Sequence, residues 1–273
     1  MSSGSSPGFA RRPLAALGLT GLALAALGAS QPAAAQSVDD ILGKKKLQVG
    51  ILVDLPPFGV VNAKNEYEGY DVDVARLMAK YLGVDLELVP VTGPNRIPYL
   101  LTNKVDVLVA TFGITPERAR QVQFAIPYSS IDIVLMAPKT RTIANAADLK
   151  PLKVGVARAS TQDTAISAAA PQGTRIMRFD DDATTAQALL SNQIDAIGVN
   201  TITGKQIQTM NPDAGYETKF VLRHQPNGIT LRRGQSDLHQ WVNTFIYFIK
   251  NNGELDAICQ KWLGVPLPEL PVF

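Results

Sequence analysis

The chemistry this chain can offer gathers around one arginine. Arg118 closes the segment Thr111-Phe112-Gly113-Ile114-Thr115-Pro116-Glu117-Arg118, which directly follows an apolar run over residues 105–110. A run rich in Val and Leu that ends at Ala110 reads as a buried strand, and Thr115-Pro116-Glu117 reads as a helix cap with proline at the first helical position. A strand end, a glycine-containing loop and a helix start present free backbone N–H groups and the positive end of a dipole. A guanidinium fork beside them favours a carboxylate. On these residues alone a solvated arginine on an ordinary helix is the competing reading.

Other chemistries find less support. The histidines are His224 and His239, both away in sequence from the loops proposed to bind, and no nucleophile–base constellation or metal-ligand cluster stands out. Asp180-Asp181-Asp182 reads as a helix cap with acids that suit the dipole. Cys259, beside Leu255, Ile258 and Trp262 at helical spacing, reads as a small buried apolar residue. The expectation is a binding protein rather than an enzyme, with no metal and no cofactor.

Composition bounds the class. The chain has 273 residues and a formal net charge of +2, which gives a nucleic-acid role no electrostatic support. Arg11-Arg12 precedes an uncharged, Leu- and Ala-rich run over residues 13–30, followed by Ala33-Ala34-Ala35. This pattern reads as a cleavable signal peptide over residues 1–35, with a periplasmic protein beginning near Gln36; a membrane anchor is disfavoured because the apolar core is short and diluted by Gly and Ala.

The elements that must position Arg118 follow an α/β grammar. Residues 47–53 read as a strand, ended by Asp54-Leu55-Pro56-Pro57-Phe58-Gly59, where two prolines make a rigid loop. A helix comes next with Val74, Leu77, Met78, Tyr81 and Leu82 on one face, then a strand over residues 86–89, a short helix over 97–102 and the strand over 105–110. The grammar restarts after Pro138, with strands over 154–156 and 175–179 around a helix over 161–170. An internal echo supports two similar lobes. Residues 99–110 and 188–199 match in character, each a helix end, a turn at Asn103 or Asn192, an Asp and a buried strand. Thr111 and Asn200 then sit just past equivalent strands, where ligands of open α/β sheets bind. Leu238, Trp241, Val242, Phe245, Ile246 and Ile249 make a terminal amphipathic helix whose face needs the first lobe. The division expected is residues 36–137 plus 229–273 for lobe 1 and 138–228 for lobe 2. The hinge crossings fall near Ala137-Pro138-Lys139 and near residues 224–228.

Several ordered motifs carry a resemblance: Leu47-Gln48-Val49-Gly50, Pro57-Phe58, Glu68-Gly69-Tyr70-Asp71-Val72-Asp73-Val74-Ala75, Ile114-Thr115-Pro116-Glu117-Arg118, Phe124-Ala125-Ile126-Pro127-Tyr128, Asp148-Leu149-Lys150 and Lys261-Trp262-Leu263-Gly264. The chain resembles the family-3 extracellular solute-binding proteins, the polar amino-acid receptors of ABC importers. The resemblance implies a two-lobed periplasmic-binding-protein fold of type II, its cleft between lobes joined by two hinge crossings. It implies a monomer that closes on an amino acid or similar small carboxylate and delivers it to a membrane permease. A periplasmic dehydratase acting on a prephenate-like acid is the alternative within the same fold.

By the same resemblance, Arg118 clamps the ligand α-carboxylate, Ala110 and Thr111 contact the ligand from a strand end, and Ser160, Thr161 and Gln162 complete the carboxylate site with backbone N–H and hydroxyl groups. The departures are Gly113, where the family has a hydroxyl residue, and Asn200, where it has an Asp for the ligand ammonium. Leu52 and Leu55 stand where many members carry a charged group and a stacking aromatic. Asn95-Arg96-Ile97-Pro98 is similar to the segment by which glutamate/aspartate receptors place an arginine on a side-chain carboxylate. Two readings of Arg96 stay open, that role and a cap on a short helix at the rim. With Asn at 200 and two arginines, the cleft is expected to lack negative charge and to prefer a dianionic solute such as glutamate or aspartate.

Overall fold

The computed structural model describes residues 37–271. The expected leader, residues 1–35, lies outside the described residues. In chain order the elements are α1 (Val38–Lys44), β1 (Lys46–Leu52), β2 (Asp54–Leu55), β3 (Gly59–Val61), β4 (Tyr67–Glu68), α2 (Tyr70–Leu82), β5 (Asp85–Val91), α3 (Arg96–Leu101), β6 (Val107–Leu108), α4 (Pro116–Ala119), β7 (Val122–Pro138), β8 (Lys153–Ala157), α5 (Thr161–Ala169), β9 (Arg175–Phe179), α6 (Asp182–Leu190), β10 (Ala196–Asn200), α7 (Thr201–Met210), β11 (Tyr216–Arg232), α8 (Ser236–Asn251) and α9 (Glu254–Leu263). None of these helices is long and apolar enough to cross a membrane.

Eight strands form one sheet in the order β5-β1-β6-β11-β7-β10-β8-β9, while β2, β3 and β4 form a small second sheet. The pairs β5–β1–β6 and β10–β8–β9 are parallel, as crossover helices require. The antiparallel pair β7 and β11, each 17 residues long, joins the two parallel halves. Buried side chains divide accordingly. One core draws on residues 41–133 and 229–259, among them Ile41, Val49, Tyr70, Met78, Leu108, Ile133, Ile229, Ile246 and Leu255, and two smaller cores draw on residues 134–216. The α8 face foreseen from its spacing, Leu238, Val242, Phe245, Ile246 and Ile249, is buried in the first core. Along β7 the change of core falls between Ile133 and Val134. Ala137 and Pro138, at the expected first crossing, are instead the end of β7, opposite Glu217 and Tyr216, whereas residues 224–228 pair with residues 127–132.

The internal echo holds at the level of single hydrogen bonds. Asn103 and Asn192 both turn through the left-handed region, with φ of 58° and 57°, a conformation asparagine tolerates. Lys104 and Gln193 donate back to the carbonyls of Tyr99 and Ala188. Asp106 and Asp195 then each accept the N–H of the first parallel neighbour, Gln48 and Lys153, at 2.8 Å in both cases. Each carboxylate also meets a cation, Lys44 for Asp106 and Arg141 for Asp195. The two halves of the sheet are therefore built on one local plan, and they diverge only beyond the end of the strand.

Candidate ligand-binding site

One cavity opens at the carboxyl ends of β1, β6, β8 and β10, over the middle of β7 and β11. It encloses about 470 Å³, its open mouth included, which suits one small solute. Of the residues singled out from the sequence, Leu55, Arg96, Thr111, Arg118, Ser160, Thr161, Gln162 and Asn200 line it together. Ala110 and Gly113 do not. Their carbonyls point at the arginines: Ala110 O accepts from Arg96 Nη1 at 3.2 Å, and Gly113 O accepts from Arg118 Nη1 at 2.8 Å.

The wall that carries Arg118 is locked before any ligand arrives. Thr111 leaves β6 with φ of 45°, an uncommon conformation for a β-branched residue. A buried network holds it there. Its hydroxyl donates to Asp71 Oδ2 at 2.7 Å, Tyr128 donates to Asp71 Oδ1 at 2.7 Å, and the Thr111 N–H donates to the Tyr128 oxygen at 3.1 Å. Burial pushes the Asp71 carboxyl up to about 6 against the lowering effect of these hydrogen bonds. Thr115 caps α4, accepting the Arg118 N–H with Pro116 at the first position, as its residue types foretell. But α4 is a single four-residue turn, so the anion-attracting power of this corner rests on the guanidinium and not on a long dipole. Arg118 and Arg96 both lie over the ring of Phe112, at 4.2 and 4.4 Å from its centre. Burial, together with the lesser effect of the charges of Arg96 and Arg223, pushes the Arg118 pKa down. A carboxylate would answer both causes.

Arg96 is 5 % exposed, and burial pushes its pKa down to about 10. It is a cavity residue at the first position of α3 rather than a rim cap, and Asn95 holds the preceding position with no side-chain cap bond.

The facing wall is made of two helix starts. Ser160 caps α5, accepting the Asp163 N–H and donating to Ala157 O at 2.5 Å, and Thr161 donates to Gln225 Oε1. Both hydroxyl protons are thus spent inside the protein, contrary to the expectation that they serve a ligand. The backbone N–H groups of the first turn of α5 have no intrahelical acceptor and remain to be used. Arg118 Nη2 reaches across to Ala159 O at 3.0 Å, joining the walls.

Asn200 is also spent. Its Oδ1 accepts the Thr203 N–H and its Nδ2 donates to Thr203 Oγ1, both at 2.9 Å, so it caps α7. Negative charge comes from residues that sequence reasoning left outside the site: Asp54, Asp180, Asp181 and Asp182 line the cavity together with Arg96, Arg118 and Arg158. The expected shortage of negative charge is therefore not found. Asp181 caps α6. Asp182, beside it, accepts from Gln162 Nε2 at 3.0 Å, and burial first and then the nearby charge of Asp54 push its carboxyl up to about 7. Arg158 pairs with Asp180 at 3.3 Å. The one available signal for Asp182 was its place in the first turn of a helix after a strand, the position Thr161 holds in α5.

A family description, the bacterial extracellular solute-binding proteins, family 3, matches residues 47–265, which takes in every element of this cavity. The chain belongs to this family. The family's two-lobed architecture accounts for the two halves of the sheet and the long strands between them. The chain is 31% identical over 252 residues to the L-cystine-binding protein of Escherichia coli K12, covering 90% of this chain and 94% of the relative. Among solved structures, a solute receptor for L-cysteine from Neisseria gonorrhoeae matches with a TM-score of 0.78 at 30% identity, covering 84% of this chain and 94% of that one. An ancestral amino acid-binding protein, described as a precursor of cyclohexadienyl dehydratase, matches with a TM-score of 0.74 at 30% identity, covering 82% of this chain and 98% of that one.

Proposed function

We propose that the protein is the amino-acid receptor of an ABC importer and that its ligand is a zwitterion with charge at both ends, L-cystine being the first to test. The observation that carries this reading is the pairing of Arg118 and the α5 start with the Asp54 and Asp182 carboxyls in a single cavity. In the bound state Arg118 and the N–H groups of α5 hold one carboxylate, while Asp182 faces an ammonium. Arg96 and Asp54 offer a second pair of opposite charges, which a bis-zwitterion such as cystine satisfies at its far end. Glutamate and aspartate, foreseen from Arg96, are disfavoured by four aspartates. The lobes follow the expected division, with the first crossing moved back from Pro138 into the middle of β7.

A thermal-shift panel of L-cystine, L-cysteine, L-arginine, L-glutamine and L-glutamate tests the proposal, since a ligand at 100 times its Kd adds about 2.7 kcal/mol of stability. L-cystine is expected to give the largest shift. A largest shift from L-glutamate, or none from any of the five, overturns it. The dehydratase alternative draws on one feature, the Asp182 carboxyl poised near neutral pH beside the cavity. Turnover of prephenate by the wild type would establish it.

A further inference from the structure

Gln225 was not singled out from the sequence, and the structure sets it at the floor of the cavity, 2 % exposed. It lies where β11 crosses between the halves, paired with Ile131, and both ends of its carboxamide are in use. Nε2 donates to Asn227 Oδ1 at 2.6 Å, and Asn227 in turn donates to Ser129 Oγ at 3.0 Å, which fixes the orientation of the amide. Oε1 is thereby turned to the Thr161 hydroxyl. The side chain occupies space that exists because residue 113 is glycine. A Cβ on Gly113 would stand 2.6 Å from Gln225 Cδ and 2.8 Å from its Cγ and Oε1, closer than real contacts allow.

We propose that Gln225 is a positioning residue for the carboxylate end of the site: seated against Gly113, it holds Thr161, and with it the first turn of α5, opposite Arg118. The inference rests on the reading that places a carboxylate at Arg118. A chain of hydrogen bonds, Thr161 to Gln225 to Asn227 to Ser129, then ties the ligand-facing helix start to both crossing strands. Thr161 spends its hydroxyl on Gln225, which leaves its backbone N–H as the group it offers to a carboxylate.

The test uses Gly113→Ala, Gln225→Met and the pair Gly113→Ala with Gln225→Ala, each titrated by calorimetry with L-cystine, L-cysteine and L-arginine, with unliganded melting as the check on folding. Gln225→Met keeps the volume and loses the acceptor, so it is expected to weaken binding at least tenfold, through faster dissociation. Gly113→Ala displaces the amide and is expected to do the same, whereas the paired variant binds no worse than Gln225→Ala alone, because the added Cβ then meets no amide. Binding by Gln225→Met within twofold of wild type shows that the residue only fills space and overturns the inference. So does a paired loss equal to the product of the single losses. Arg118→Ala separates the two readings. If it abolishes binding while Gln225→Met is neutral, only the role of Gln225 falls; if it leaves binding intact, or if wild type binds none of the three, the carboxylate site falls with it.

Discussion

The helix–turn–strand unit that ends in Thr111 and the one that ends in Asn200 share turn conformation, back-bonding and a carboxylate clasp, yet they deliver opposite things to the cavity. After the first, the chain makes a strained left-handed step and a loop, and the loop presents Arg118. After the second, the chain enters α7 at once, and the Asn200 amide is consumed in capping it. Shared scaffolding thus fixes where a strand ends, and the next residue decides whether that end recognises a solute or starts a helix. Because the second exit offers no charge, a neighbouring helix start, that of α6, brings Asp182 to the same wall.

The largest expected effect separates the two exits. Arg118→Ala should cost about 2–5 kcal/mol of L-cystine binding, since the carboxylate would be desolvated without its partner. Asn200→Ala should leave affinity within a fewfold range while removing about 1 kcal/mol of stability through the lost cap. Calorimetry and denaturant unfolding on both variants measure the contrast, and a large affinity loss at Asn200 would erase it.

The two carboxylate clasps allow a finer comparison. The Asp106 side chain is 2% exposed and the Asp195 side chain 26%, so water can replace the lost acceptor at the second site and not at the first. Asp106→Ala should lower the unfolding free energy by about 1–3 kcal/mol, and Asp195→Ala by less than about 1 kcal/mol. Equal losses in urea titrations would mean that burial does not distinguish the clasps.

The smallest effect concerns the substitute charge. With its free-state pKa raised to about 7, Asp182 is largely protonated at pH 5. A facing ammonium favours the ionised form, so binding releases a proton below that pKa. L-cystine affinity should therefore rise from pH 5 to 7 and level off above. Asp182→Asn should flatten the profile and weaken binding about tenfold at pH 8, near 1.4 kcal/mol. A pH-independent wild type would remove Asp182 from recognition.

Much of the plan was legible in local residue types. Asn103 and Asn192, the Thr115 and Ser160 caps and the α8 face are short-range patterns, and each forms as its neighbours dictate. Arg118 was legible because its loop joins a buried strand to a capped turn. The floor and the charge balance were not. Gln225 reaches Gly113 through the register of a 17-residue strand, and Asp54 and Asp182, far apart in sequence, meet only when the two halves of the sheet face one another. The crossing was misplaced for a related reason, since Pro138 ends a strand pair whose middle, without any turn signal, passes from one core to the other.

The place of β11 in the sheet also bears on the order in which the protein can form. It is the last strand in sequence yet lies between β6 and β7, so the half made of β5, β1 and β6 has no neighbour on that side until some 120 further residues have followed β6. Strands β8, β9 and β10, by contrast, lie close together in sequence, and β10 already finds β7 behind it. A chain emerging from its N-terminus can therefore complete the second half first, while the half bearing Arg118 keeps an unpaired edge and waits for α8 to cover its core.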